Sequence, residues 1–134
     1  MPTDENSSII LKAGIEKKSF ELYYNGGSIW CEHLDGIGFF PEKVREKFLC
    51  DFKQFARPST TSFMIINLDE TKLDDEIIFC ITDTLIRSEK RLVKLAFVGV
   101  KKSARGAFRR IGNEKKCAVI FFDDYEKAKQ WTLP

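Results

Sequence analysis

The sequence predicts a single α/β domain with a mixed, mostly parallel sheet of about five strands and four helices. A β-hairpin signal comes first, and helical patterns then alternate with short, continuously apolar runs. Such runs are typical of strands that are buried on both faces of a parallel sheet. The predicted order is strand, strand, helix and then three strand–helix units, which requires parallel crossovers with helices packed on the sheet.

The hairpin and the first helix are predicted from local signals. The segments Phe20–Tyr24 and Ile29–Leu34 flank Asn25-Gly26-Gly27, and Asn-Gly supplies the positive φ angles of a tight turn. Pro41 is typical of the first turn of a helix, and Arg57-Pro58 ends that helix. The helix carries one apolar stripe at spacings of three and four residues: Val44, Phe48, Leu49, Phe52 and Phe55.

Three further strand–helix units complete the prediction. The buried strands are predicted at Phe63–Leu68, Leu92–Val100 and Ala118–Phe122. Acidic residues 74–76 open the first following helix, where the helix dipole favours them. Ser103 is the predicted N-cap of the second helix, with Gly112 just beyond its end, and Asp123 or Asp124 caps the last helix.

Length and composition predict one domain. A chain of 134 residues, 43% of them hydrophobic, is long enough to bury a single core. We expect a flexible tail at residues 1–8 and one domain at residues 9–134. The start of the chain lacks the apolar region of a signal peptide, and no apolar run reaches the roughly 20 residues of a membrane span. We therefore expect a cytoplasmic protein that does not span a membrane.

The cysteines and the single histidine do not form a catalytic or metal-binding motif. Cys31, Cys50, Cys80 and Cys117 are scattered and include no C-x-x-C pair, which favours reduced thiols, although their even number also allows disulfides. His33 shares a strand face with Cys31 and has no obvious acid–base partner, and Cys31-x-His33 is too little for zinc. The sequence predicts no enzyme, no cofactor and no metal; a nucleophile–base pair of His33 with Cys31 or Cys117 is a minor alternative.

A basic strand-to-helix turn is the best candidate site. Residues 99–103 place two lysines and a hydroxyl at a helix N-terminus, where backbone amides favour anions. Arg105 and Arg109 are four residues apart and are predicted to share one outward helical face. The predicted partner- or anion-binding residues are Lys101, Lys102, Ser103, Arg105 and Arg109. The alternative is that Ser103 caps the helix and the lysines are solvated.

The net charge of +2 hides an uneven charge distribution. Residues 87–116 contain eleven basic and two acidic residues, whereas residues 67–86 contain six acidic residues and one lysine. A basic face of this kind suits an acidic protein or a phospholipid headgroup. Nucleic acid is the weaker option, because no aromatic stacking pattern or helix-turn-helix accompanies the charges.

Four features together resemble the STAS family, and more closely its SpoIIAA-like branch, over about residues 20–133. They are Gly36 before the first helix, the strand Phe63–Leu68 with its acidic turn, the strand Leu95–Gly99, and the ending from Phe122 through Ala128 to Trp131. The resemblance implies a STAS-like fold. Patterns of this kind mostly report packing and say little about function.

In STAS proteins that act as anti-anti-sigma factors, an Asp in the turn after the buried strand precedes a phosphorylatable Ser. The corresponding positions here resemble Asp75, Glu76 and Ile77, so the Asp is present and the hydroxyl is missing. Thr71 is the nearest alternative acceptor. The resemblance therefore suggests Thr71, Asp75 and Glu76 as a regulatory turn without a kinase switch of the usual form. The alternative, which the pattern favours, is that Glu76 is an ordinary first-turn acid that stabilises the helix.

Two functions follow as hypotheses. The first is a non-catalytic regulatory module that binds a protein partner through the strand-to-helix turns, since strand carboxyl ends are the usual binding edge of an open sheet. The second is a binder of a small apolar or phospholipid-like ligand between the aromatic helix and the sheet. It rests on a resemblance in fold to lipid-carrying domains and on five phenylalanines in and just before the first helix: Phe39, Phe40, Phe48, Phe52 and Phe55. The alternative is that these rings form the core.

Overall fold

The computed structural model describes residues 17–37, 40–59 and 61–133. Its strands are β1 (Phe20–Tyr24), β2 (Gly27–His33), β3 (Phe63–Asn67), β4 (Lys94–Val98) and β5 (Ala118–Phe122). Its helices are α1 (Pro41–Phe55), α2 (Asp75–Arg87), α3 (Lys102–Lys115) and α4 (Tyr125–Thr132). The predicted element order and fold class are confirmed. The predicted tail and Phe39 lie outside the described residues.

The sheet is mixed, with strand order β1-β2-β3-β4-β5. β1 and β2 form the antiparallel hairpin, and Gly26 supplies the predicted positive φ of +103°. All later neighbours are parallel, and their register aligns His33, Asn67, Val98 and Phe122 in one row at the carboxyl end of the sheet. Turns that follow adjacent strands therefore lie side by side.

Helices cover both faces of the sheet. On one face, the buried side chains of α1, α2 and α3 pack with alternate strand residues such as Met64, Ile66 and Phe97. On the other face, Ala128 of α4 packs on the intervening residues, among them Ile65. This division explains the continuous apolar runs, because each internal strand buries successive side chains in opposite layers. Within the described residues, no helix is both long and apolar enough to cross a membrane.

The aromatic stripe of α1 lies against the sheet. Phe48 and Phe55 are buried, and the ring of Phe52 lies 5.9 Å from that of Phe48 and 5.7 Å from that of Phe55 between centroids. Leu49, predicted in the same stripe, is exposed instead. The rings therefore form part of the core, and Leu49 faces away from it.

The ends of α3 differ from the prediction. The N-cap is Lys101, which makes no side-chain capping bond, so Ser103 lies inside the first turn and is not the cap. The helix continues past Gly112 to Lys115, and Lys116 takes the left-handed conformation with a φ of +54°. Val119 explains the glycine at 112, because a Cβ there would lie 3.1 Å from its side chain.

Candidate functional site

Two strand-to-helix turns pack against each other at the carboxyl end of the sheet. Residues 68–74 connect β3 to α2, and residues 99–101 connect β4 to α3. Gly99 has a φ of +79°, and a Cβ on it would lie only 2.6 Å from the Cα of Asp69. Glycine is required here both for the backbone angle and for the close approach of the two chains.

The two turns line one depression of about 780 Å³, which we call the two-turn depression. Its charged lining residues are Glu70, Lys72, Asp75 and Lys101. Its apolar lining residues are Leu73, Ile78 and Ala104, all of which also contact the core. The depression thus combines charges of both signs with apolar side chains that also pack on the core.

The structure brings together half of the predicted site residues. Lys101 and Ser103 from the basic turn meet Thr71 and Asp75 from the acidic turn around the two-turn depression. The other predicted residues do not line it: Lys102, Arg105, Arg109 and Glu76. The two turns, which were predicted to lie at the same edge of the sheet, line one depression.

Arg105 and Arg109 are directed toward β5. Their guanidinium groups lie 5.3 and 5.2 Å from the centre of the Phe121 ring. Arg105 also donates a hydrogen bond from Nε to the carbonyl of Val100, at 3.0 Å. The expectation of a free outward face therefore fails for Arg105, which is half-buried and holds the β4–α3 turn to β5, whereas Arg109 is exposed.

The residues of the acidic turn have separate local roles. The Thr71 hydroxyl donates to the carbonyl of Leu34, at 2.9 Å, and so ties this turn to the end of β2. Asp74 caps α2 by accepting a hydrogen bond from the Ile77 amide, at 2.7 Å. Glu76 points toward α1, where its carboxylate lies 3.0 Å from Arg45. Asp75 is left exposed at the mouth of the depression.

Comparison with known proteins identifies the fold. No family model matches this sequence, and no curated protein matches it. A solved structure does: an uncharacterized DUF3478-family protein from Shewanella loihica PV-4, described as having a SpoIIAA-like fold. It superposes with a TM-score of 0.62 over 87% of this chain and 93% of that chain, at 13% sequence identity. The chain has a SpoIIAA-like fold.

At this identity the likeness concerns the SpoIIAA-like fold alone. The resemblance inferred from the sequence is confirmed at that level.

One face of β2 carries a buried acid that sequence reasoning missed. Glu32 is 1% exposed, and its Oε1 accepts a hydrogen bond from Trp30 Nε1 at 2.9 Å. Its Oε2 lies 4.0 Å from Lys47 Nζ, which instead donates to Asp51 at 2.7 Å and to Ser19 at 2.9 Å. Burial raises the pKa of Glu32 to about 9, and the neighbouring Asp51 adds to the effect. Glu32 is therefore protonated at neutral pH.

The opposite face of β2 carries His33. Its Nδ1 lies 2.9 Å from Asp35 Oδ1, and Lys17 donates to the other oxygen of Asp35 at 2.7 Å. Burial alone would raise the pKa of Asp35, but the hydrogen bonds from His33 and Lys17 outweigh it, and the pKa is lowered. The expectation that His33 lacks a partner is wrong: the partner lies two residues beyond it, where the chain leaves the strand.

Within the described residues, no hydrogen bond joins His33 to Cys31 or Cys117. Cys31 is fully buried, and burial raises the pKa of its thiol. Cys117 precedes β5 at the amino end of the sheet, away from His33 at the carboxyl end of β2. All four cysteines are free, and Cys50 is exposed. Among residues 17–37, 40–59 and 61–133, no group of three His, Cys, Asp or Glu side chains is arranged to hold a metal.

Proposed function

We propose that this protein is a non-catalytic, cytoplasmic interaction module that binds a protein partner at the two-turn depression. The observation that carries the proposal is that both predicted turns line one depression. Lys72 and Asp75 approach it from the β3–α2 side and Lys101 from the β4–α3 side, beside the apolar side chains of Leu73 and Ile78. A partner segment that enters the depression contacts both turns at once.

The surroundings of the depression support recognition rather than chemistry. Of the two hydroxyls in its lining, that of Thr71 already donates to the carbonyl of Leu34 and is therefore not held by a general base. The His33–Asp35 pair lies on the α4 face of the sheet, whereas the depression lies toward α2 and α3. The close packing of Gly99 on Asp69 fixes the two turns relative to each other, which limits the entropy lost on binding.

Substitution of the two lysines tests the proposal. We expect the double variant Lys72→Ala/Lys101→Ala to lose the partner that co-purifies with the wild-type chain, because both ammonium groups line the depression. The matched control is Lys53→Ala/Lys127→Ala, which removes two exposed lysines from α1 and α4. Complex mass is read by native mass spectrometry after mild purification. A partner retained equally by both variants would refute the site.

The alternative is a small apolar or phospholipid-like ligand between α1 and the sheet. Such a ligand would have to displace Phe48 and Phe55, which are buried in contact with the core. We therefore rank this function second. It predicts a lipid-sized mass adduct on the gently purified protein, in the same spectra that report the partner.

A further inference from the structure

An apolar groove between α1 and α2 adjoins the two-turn depression, with which it shares only Asp75. Leu49 on α1 and Phe79 on α2 are 46% and 65% exposed, and they face a groove of about 530 Å³ together with Cys80. Single exposed apolar side chains are common on protein surfaces. Two large ones on neighbouring helices that share a groove are a typical interaction surface.

The α2 wall of the groove is about two and a half helical turns long. This wall runs from Asp75 to Thr84, which is about 13 Å of helix at a rise of about 1.5 Å per residue. An occupant helix of similar length offers apolar side chains at positions i, i+3 or i+4, and i+7, which is how amphipathic helices fill grooves between helices.

The charges around the groove select the charge of its occupant. Asp75, Glu76 and Asp83 line the groove on the α2 side. An adjoining depression, which shares Asp75 and Glu76, adds Glu42 and Asp74. Opposing these five acids are Arg45, paired with Glu76 at 3.0 Å, and Arg87, which lies outside the lining and pairs with Asp83 at 2.9 Å. The acids remain in excess, so the groove favours a basic occupant.

The basic helix α3 of a second copy of this chain does not fit this groove. The exposed basic residues of α3 are accompanied by Gly106 and Ala107, and no exposed large apolar side chain lies on that helix. A basic helix that fills the groove needs at least two such anchors, one for Leu49 and one for Phe79.

We propose that the α1–α2 groove binds a basic amphipathic helix of another protein. This inference is independent of the function proposed for the two-turn depression, since the groove can be altered at Leu49, Phe79 and Asp83 without touching Lys72 or Lys101.

A synthetic peptide tests the groove directly. The probe is an amphipathic helix of leucine and lysine in helical periodicity, labelled for fluorescence anisotropy and titrated with the full chain. We expect Leu49→Ser/Phe79→Ser to weaken binding by about tenfold or more, because both anchors are lost. We also expect Asp83→Lys to weaken binding, and added salt to weaken it further.

Two control variants distinguish binding in the groove from nonspecific attraction of the peptide to the protein surface. Tyr23→Ser removes an exposed aromatic side chain from β1, and Glu114→Lys reverses an exposed acid on α3. Both should leave the affinity unchanged. Absence of peptide binding, or equal affinity in the groove and control variants, would overturn the proposal. A concentration-dependent dimer that Phe79→Ser abolishes would also overturn it, because the groove would then belong to a second copy.

Discussion

Two buried acids, Glu32 in β2 and Asp35 just after it, make the stability of the protein depend on pH. Glu32 is neutral at pH 7 because burial disfavours its charged form. Asp35 is charged because His33 and Lys17 stabilise the carboxylate. Glu32 lies in β2 and Asp35 lies two residues beyond the end of that strand, and their contributions to stability change in opposite directions with pH.

Glu32→Gln is expected to flatten the pH dependence of stability. Between pH 4.5, the ordinary pKa of a glutamate, and about pH 9, folded Glu32 holds a proton that the unfolded chain has released. The free energy of unfolding therefore falls as pH rises, by up to about 1.4 kcal/mol per pH unit for one proton. Gln keeps an acceptor for Trp30 and does not titrate.

Urea unfolding at several pH values measures this difference. The stability of Glu32→Gln relative to the wild-type chain should increase steadily from about pH 5 to pH 9. Glu46→Gln, at an exposed position of α1, is the control and should give no such trend. Parallel curves for Glu32→Gln and the wild-type chain would show that Glu32 is ionised when folded.

Asp35→Asn is expected to destabilise the protein at neutral pH, and to do so less at low pH. Because the pKa of Asp35 is lower in the folded than in the unfolded chain, its carboxylate stabilises the folded state above the unfolded pKa. This stabilisation is lost as pH falls through the folded pKa. The substitution should cost about 1–3 kcal/mol at neutral pH, since it weakens charge-assisted hydrogen bonds to His33 and Lys17. The cost should shrink in acid. A cost that does not change with pH would contradict the assigned charge.

At the scale of the elements, α3 and the turn before it depend on glycines with different roles. Gly99 lies in the turn, with a positive φ and with the backbone of Asp69 against it. Gly106 lies within α3, and no atom lies within 4 Å of a Cβ built on it. The same substitution should therefore have opposite effects at the two positions.

Gly99→Ala should lower the free energy of unfolding by about 2 kcal/mol or more, through the left-handed backbone and the clash with Asp69. Gly106→Ala should raise it by about 0.5–1 kcal/mol, because alanine favours the helix. Thermal or urea unfolding of the two variants measures both effects. A Gly99→Ala variant as stable as Gly106→Ala would show that the two turns are not closely packed.

The elements themselves could be predicted well from the sequence, because their signals are local. The spans of β1 and β5 agree with the prediction to the residue, and α1 begins at Pro41 as predicted. The ends of α3 could not be predicted. Lys101 caps it without a side-chain bond, and Gly112 is explained by the close approach of Val119 rather than by a helix end.

At the scale of the whole molecule, the parallel topology brings distant turns together. The sequence placed both turns at strand carboxyl ends, and the adjacency of β3 and β4 joins them into one depression. The side-chain directions could not be predicted, because they depend on contacts between remote residues. Arg105 turns toward Phe121, and Glu32 meets Lys47 only when α1 packs on β2.

The position of Ser103 allows the central claim to be tested in cells. Ser103 is exposed and lines the two-turn depression, whereas Gln130 is exposed on α4 on the other face of the sheet. A photoreactive amino acid placed at either position reports which proteins touch it, without requiring the complex to survive purification.

The most direct measurement is therefore photo-cross-linking from position 103, with position 130 as the control. We predict one protein partner that cross-links from 103 and not from 130, and whose cross-link disappears in Lys72→Ala/Lys101→Ala. Absence of a cross-link from 103, or the same partners from 103 and 130, would contradict binding at the two-turn depression.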